Sequence, residues 1–191
     1  MNRNDVLEEV SQDITQDHAL QQRIREGDNA AFAELYSCHK QGVYLYCTRF
    51  LGDQPAAEDI FQEVFINLLE RVRAGSHIEN VQGYLMRSAR NRCLNVIRDR
   101  KYPKDVDELE EILPGGDVVS VGEYEDLESA LQRLPAANRD ALLLCEYQGY
   151  SYDEISAITD VPVTTVRKRI FRARQRLRQI LGPDKNRNEE Q

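Results

Sequence analysis

The sequence contains no tryptophan, only four cysteines and three histidines, and no long apolar run. Each scarcity excludes a class of protein. Cys38, Cys47, Cys93 and Cys145 form no CxxC pair, and His18, His39 and His77 complete no zinc-ligand spacing, so neither a zinc module nor a disulfide scaffold is predicted. Each cysteine falls at or beside an apolar helical position and reads as a small buried thiol. No hydrophobic stretch approaches the ~20 residues that cross a bilayer, and the opening MNRNDVLEEVSQD has no apolar signal segment. The expected location is therefore the cytoplasm, with no membrane insertion. Alternating polar–apolar runs of strand length are also missing, so the predicted fold class is all-α. Without a paired nucleophile and base, or a glycine-rich phosphate loop, no enzyme and no cofactor is expected.

What the sequence has in quantity is charge, with 33 acids against 25 bases and a net charge of −8. Its distribution is uneven. Residues 1–18 carry one arginine against five acids, and residues 103–124 one lysine against seven. Residues 19–102 hold twelve bases and ten acids, and residues 125–183 nine and eight. The chain therefore divides into an acidic arm (1–18), a helical domain (19–102), an acidic linker (103–124), a second helical domain (125–183) and a polar tail (184–191). A single helical turn is expected within the linker, from Val106 to Leu113. With its acid concentrated in arm and linker, the chain should bind free DNA poorly and need a partner to do so.

The stretch SYDEISAITDVPVTTVRKRIFRARQRLRQIL, from Ser151 to Leu181, predicts two helices around a tight turn. Ser151 and Glu154 have capping-box spacing. Thr159-Asp160-Val161-Pro162 breaks the helix, because the residue before a proline leaves the helical region and proline favours a helix start. Val163, Val166, Ile170, Ala173, Leu177 and Leu181 then form one apolar stripe. Around it lie Arg167, Lys168, Arg169, Arg172, Arg174, Arg176 and Arg178, with no acid between Val163 and Leu181. A helix-turn-helix with a cationic second helix suits a DNA major groove. At about 100° per residue, the direction away from the core holds Thr164, Lys168, Phe171, Arg172 and Gln175, which should meet base edges. Arg167, Arg169, Arg174 and Arg176 flank them and suit phosphates. An ordinary solvated helix would gain nothing from so many mutually repelling charges.

Upstream, helical periodicity runs from Ala19 through Leu20, Ile24, Ala31, Phe32, Leu35 and Tyr36. Gly27-Asp28 and Gly42 are expected to interrupt it before Val43 to Leu51 resume the pattern. After a loop at Gly52 to Pro55, AAEDIFQEVFINLLERV predicts a helix with Glu58 and Asp59 in its first turn, where they would complement the dipole. Ile60, Phe61, Val64, Phe65, Leu68, Leu69 and Val72 form its core stripe. The opposite face sets Ile66 among Asp59, Gln62, Glu63 and Glu70. Two readings fit that face: a scattered surface aliphatic, or an apolar anchor ringed by charges that select a basic partner. The next helix, Gly83 to Lys101, turns Leu85, Ala89, Cys93, Val96 and Ile97 inward. Tyr84, Arg87, Ser88, Asn91, Asn95 and Arg98 point outward, with Arg90 and Arg100 on the flanks. An aromatic among Arg and Asn offers bases a stacking plane and phosphates a charge track, although many such faces are simply solvated. Leu127, Ala130, Leu131 and Leu134, then a helix opened by Pro135 that carries Ala141 to Leu144 and Tyr147, complete a four-helix second domain with the helix-turn-helix.

Three ordered segments, GDQPAAEDIFQEVF, GYLMRSARNRCLNVIRDR and LPAANRDALLLCEYQGYSYDEISAITDVPVTTVRKRIFRARQRLR, together resemble the extracytoplasmic-function (ECF) group of bacterial RNA polymerase sigma factors over residues 20–182. The resemblance implies a first domain that docks on core polymerase and opens the minus-ten promoter element. It implies a second domain that reads the minus-thirty-five element, and a linker that runs toward the active-site channel. By position, Asp59, Gln62 and Glu63, with Ile66 among them, would meet the clamp helices of the largest polymerase subunit. Arg87, Arg90, Asn91 and the loop before Gly83 would handle the unwound minus-ten strand, together with Tyr84, Asn95 and Arg98 on the same face. Thr164, Thr165, Lys168 and Arg172, beside Arg167 and Phe171, would lie on the minus-thirty-five recognition helix. Core polymerase, promoter DNA and an anti-sigma protein are the partners implied. The sequence departs from the family pattern at Tyr84 (usually Trp), Ser88 (usually apolar), Asn95 (usually Asp) and Ser156 (usually Ala), so the family's minus-ten preference does not transfer. The rival reading is a helix-turn-helix regulator that binds duplex DNA without polymerase.

Overall fold

The computed structural model describes residues 15–101 and 127–182, which form eight helices and no strand. We number them α1 (15–25), α2 (Asn29–Leu51), α3 (Gln54–Arg73), α4 (Val81–Lys101), α5 (Leu127–Gln132), α6 (Ala136–Glu146), α7 (Tyr152–Thr159) and α8 (Val163–Leu181). The turn expected at 106–113, residues 1–14 of the arm and residues 183–191 of the tail region lie outside the described residues. Helix α1 begins at residue 15, inside the stretch read as an arm, and already buries Asp17, Leu20 and Gln21.

Local chemistry sets the helix ends. The Asp28 carboxylate accepts from the Ala30 and Ala31 N–H groups and starts α2. Gly52, at φ 63°, ends α2 in the left-handed conformation that glycine tolerates. Asp53 then caps α3 through the Ala56 N–H, with Pro55 inside the first turn. This starts α3 at Gln54, two residues before Ala56, where the sequence pattern began, and corrects one expectation. Glu58 and Asp59 lie beyond the first turn, which contains no acid, so Asp53 does the work assigned to them. A second correction concerns Gly42. It does not interrupt α2, which is continuous through it; a lone glycine weakens a helix by about 1 kcal/mol, too little to break one packed on both sides.

Helices α1 to α4 pack around Leu35, Val43, Tyr46, Phe50, Val64, Phe65, Leu68 and Leu85, all nearly inaccessible. Beside them the rings of Tyr36, Tyr44, Phe61 and Phe65 meet edge to face. Helices α5 to α8 pack around Leu131, Leu143, Leu144, Ile155, Val166 and Ile170. Full burial of each such side chain contributes about 1.5–3 kcal/mol. The two halves are in contact: α5 and α6 lie against α2, and α7 touches α4. Their apolar residues form one continuous core. Among the cysteines, Cys47 and Cys93 are buried, and contact with Cys47 together with burial pushes the Cys93 thiol well above its ordinary range. Cys145 is half-buried. Cys38 departs from expectation and is exposed, because it falls off the α2 stripe defined by Leu35, Val43 and Cys47.

Candidate nucleic-acid and polymerase interface

On α3 the outward face is as the sequence indicated. Asp59, Gln62, Glu63, Ile66 and Glu70 are all exposed. Ile66 keeps 54% of its surface in water, one of four exposed large hydrophobics among the described residues. Glu63 also holds Arg92 of α4 at 2.9 Å, so one carboxylate of the ring is partly neutralised from within.

On α4 the outcome is divided. Asn91, Asn95 and Arg98 are exposed, while Tyr84 is half-buried beneath the Arg71 guanidinium, 5.4 Å from its ring centre. Arg87 is exposed, yet it donates to the Ala157 carbonyl of α7 at 3.1 Å. Arg90 corrects the sequence reading. Its side chain is only 13% exposed and turns under α4, where Nε donates to Asp140 of α6 at 2.7 Å. The loop before α4 is held firmly: Gln21 of α1 exchanges two 2.9 Å hydrogen bonds with the backbone of Ile78. His18 adds a contact to the Glu79 carbonyl at 3.0 Å. Thus His18, His77 and Glu79 converge although their spacing suggested nothing. The Arg25 guanidinium, 3.3 Å from His77 Nδ1, sets a positive charge against that group.

The helix-turn-helix forms through the expected devices. Ser151 Oγ accepts from the Glu154 N–H, and the Glu154 carboxylate accepts from the Ser151 N–H at 2.8 Å. Asp160 takes φ 57°, the only positive φ at a non-glycine among the described residues. Ser156 Oγ donates to the Val161 carbonyl at 2.6 Å and ties the turn to α7. Helix α8 buries Val166, Ile170 and Ala173 against this support. Its outward residues Thr164, Lys168, Phe171, Arg172 and Gln175 are exposed, Phe171 by 66%. Thr165 is half-buried, Arg167 is exposed and lies 5.9 Å from the Tyr152 ring centre. Arg174 is tied to Glu146 of α6, which holds its guanidinium more firmly protonated. A convex cationic helix with an aromatic at its centre can enter a groove and make both base-edge and phosphate contacts.

Sequence reasoning missed the seam between the halves. Asp140 is 1% exposed and accepts from the Tyr46 hydroxyl of α2 as well as from Arg90, both at 2.7 Å. Burial and the facing carboxylate push the Tyr46 phenol well above its ordinary range, so it remains a donor. Arg139, beside Asp140, is also buried; burial lowers its pKa, and it lies 5.2 Å from the Phe50 ring centre. The available signal was spacing. Asp140 stands three and four residues before Leu143 and Leu144, on the face that α6 turns inward, and a buried carboxylate requires donors from elsewhere.

Residues 35–102 match the Sigma-70 region 2 family, and residues 124–177 match Sigma-70, region 4. The chain is 33% identical over 191 residues to the ECF RNA polymerase sigma-E factor of Escherichia coli K12, covering 91% of this chain and 98% of that protein. The chain belongs to the ECF sigma factors. It is also 36% identical over 167 residues to the ECF sigma factor SigE of Mycolicibacterium smegmatis, and spans 65% of that longer protein. In fold it is similar to the sigma factor RpoE of Bartonella quintana, solved with the anti-sigma factor NepR, at a TM-score of 0.61 and 22% identity over 78% of this chain and 96% of that one. As a sigma factor it works with core RNA polymerase at promoters in transcription initiation. The rival regulator is not favoured, since region 2 has no place in a lone helix-turn-helix protein. The α3 and α4 faces fall inside the region 2 match, and α8 falls inside the region 4 match except for its last turn.

Proposed function

We propose that residues 19–102 of this sigma factor form the unit that docks core polymerase and handles the minus-ten element, and that residues 125–183 read the minus-thirty-five element. The linker at 103–124 joins them, and residues 1–18 and 184–191 flank them. Asp59, Gln62, Glu63 and Ile66 dock the clamp helices of the largest polymerase subunit. Ile66 supplies the anchor, and the carboxylates orient a basic partner. Tyr84, Arg87, Asn91, Asn95 and Arg98 handle the unwound strand with the loop before α4, and Arg90 joins them when it is released from Asp140. A base taken out of the stack there is held by stacking and edge contacts, which promotes melting. Thr164, Thr165, Arg167, Lys168, Phe171 and Arg172 meet the minus-thirty-five duplex. The role is non-enzymatic and cytoplasmic; no helix of the described residues is long and apolar enough to cross a membrane. A partner of the anti-sigma class, like that of the Bartonella protein, would hold the chain inactive.

The observation that supports the docking assignment most directly is Ile66, half in water at the centre of an acidic ring. Ile66→Arg, and separately Asp59→Lys with Glu63→Lys, should leave the melting temperature within a few degrees of wild type. Capture of core polymerase by the same preparations should fall sharply. Undiminished capture by folded variants would show that this face is ordinary surface.

A further inference from the structure

We propose that His18, His77 and Glu79 form a binding site for a divalent transition-metal ion such as zinc, which staples α1 to the loop before α4.

Two buried neighbours build the site. Gln21 of α1 is fully buried and holds the Ile78 backbone from both sides, donating to its carbonyl and accepting from its N–H. His18 stands three positions before Gln21 and so shares its face of α1. Ile78 is buried, while His77 and Glu79 on either side of it stay outside. The Gln21–Ile78 pair therefore fixes the register in which one histidine of α1 meets a histidine and a carboxylate of the loop. The two imidazoles meet edge to face, with ring centres 4.4 Å apart.

The donor atoms stand near the spacing of a coordination shell. His18 Nε2 lies 3.8 Å from one Glu79 carboxylate oxygen, and His77 Nε2 lies 3.5 Å from the other. One ligand atom from each of the three side chains falls within 4.8 Å of the other two. The Glu79 carbonyl, 3.0 Å from His18 Nε2, offers a further oxygen. In a tetrahedral zinc site, bonds of about 2.0–2.2 Å put neighbouring donors about 3.3–3.5 Å apart. Two imidazoles with a carboxylate suit zinc, nickel or copper, whereas magnesium and calcium call for oxygen alone. Entry is open, since His77 and Glu79 are both exposed.

Arg25 sets how tightly the ion is held. Its guanidinium lies 3.3 Å from His77 Nδ1 and also donates to Gln22 at 2.8 Å. A guanidinium can only donate, so Nδ1 accepts from it and the ring proton stays on Nε2, the atom that must take the metal. Binding moves that proton to Nδ1 through solvent and displaces Arg25, which keeps its bond to Gln22. A metal-bound imidazole is best oriented by an acceptor at its other nitrogen. Arg25 thus weakens the site and keeps it reversible, and a glutamine in its place would strengthen it. The loop so clamped is the one assigned above to the minus-ten strand. A filled site then tunes promoter opening, a consequence that rests on that assignment, as the metal site itself does not.

The test uses the full chain, stripped with a chelator and carrying Cys38→Ser so that the exposed thiol takes no part. Cobalt(II) is the spectroscopic probe and zinc the competitor. We expect one equivalent of cobalt to give the visible bands of a nitrogen- and oxygen-ligated ion without a thiolate charge-transfer band. Zinc should abolish those bands, and the same concentration of magnesium should not. His77→Ala and Glu79→Gln, both at exposed positions, should each weaken cobalt binding at least about tenfold, and Arg25→Gln should tighten it. Zinc should slow amide exchange at Ile78 in the parent chain and not in His77→Ala. Absence of binding, binding that survives His77→Ala with Glu79→Gln in folded protein, or weaker binding in Arg25→Gln overturns the site. Anisotropy with a labelled single-stranded minus-ten oligonucleotide reads the consequence separately. A zinc-dependent change that His77→Ala abolishes supports it; unchanged affinity with the site filled overturns the promoter consequence alone.

Discussion

The buried cluster at the seam allows a quantitative test of how independent the two halves are. Tyr46→Phe removes one hydroxyl and leaves the ring stacked on Phe50, whose centre is 5.5 Å away with an interplanar angle of 9°. No cavity forms, so the cost is that of one hydrogen bond to a charged acceptor, about 1.5–3 kcal/mol. Arg90→Met leaves Asp140 buried with a single donor, and breaking a buried pair from one side costs about 3–5 kcal/mol. Those figures apply only if Asp140 stays buried. If the halves can part, the variant escapes the penalty by opening, and its loss cannot exceed the free energy of closure. The apolar residues of the two halves share one continuous core, so parting them would expose apolar surface along with Asp140. We therefore expect Tyr46→Phe to destabilise by about 1.5–3 kcal/mol and Arg90→Met by about 3–5 kcal/mol in urea unfolding, with the double variant less than additive because both groups donate to Asp140. A loss of less than about 1 kcal/mol for Arg90→Met would refute the reasoning and show that Asp140 reaches water because the halves part readily.

In the polymerase complex, Lys168→Ala and Arg172→Ala should each weaken binding to the cognate upstream duplex by about 1–3 kcal/mol. Arg176→Ala and Arg178→Ala should weaken binding to all sequences alike; a competition assay over promoter variants checks this, and identical profiles for all four would reassign the base-reading face. Asp28 and Asp53 are held below their ordinary value of 3.8, Asp28 chiefly by Arg23 and Asp53 chiefly by the Ala56 N–H, with Arg100 assisting. A depressed carboxylate stabilises the fold above its unfolded value and loses that contribution as pH falls through the folded value. Asp53→Asn should therefore lower the melting temperature at pH 7 and converge on wild type below about pH 3.8; a constant difference across that range would count against the cap. Asp160→Val should cost about 1–2 kcal/mol, since its left-handed backbone penalises a β-branched side chain, while Asp160→Gly should be neutral or stabilising in the same thermal scan.

Local signals carried the second half of the chain almost entirely. The capping box at Ser151, the turn before Pro162 and the stripe through Val166, Ile170 and Ala173 are each decided within a few residues, and the structure keeps all three. The α3 face was legible for the same reason: seven apolar positions fix which side is core, so Ile66 and its acids must be outside. The start of α3 was less legible. A proline and the acids at 58 and 59 drew the expected boundary inward, although Asp53 was the better cap because it alone presents an oxygen to an unpaired N–H at the helix start.

What the sequence could not provide is anything decided between segments far apart in the chain. Arg90 had the periodicity of a flank residue and the chemistry of a phosphate contact; only the arrival of α6 makes it a buried partner of Asp140, 50 positions away. Gly42 had the mark of a helix breaker, and only Gln148, 106 positions away, gives it another purpose. Both errors lie on the same seam, and both came from reading each half as though it stood alone. A residue that suits DNA in one half and an acid in the other is under two demands at once. The local pattern registers the first demand. The second is visible in the sequence only as an anomaly, an aspartate on the inward face of α6, in register with Leu143 and Leu144. An unpaired acid on a core-facing stripe is thus a usable signal: its donors must come from another element, and here those donors include one of the groups expected to touch the promoter.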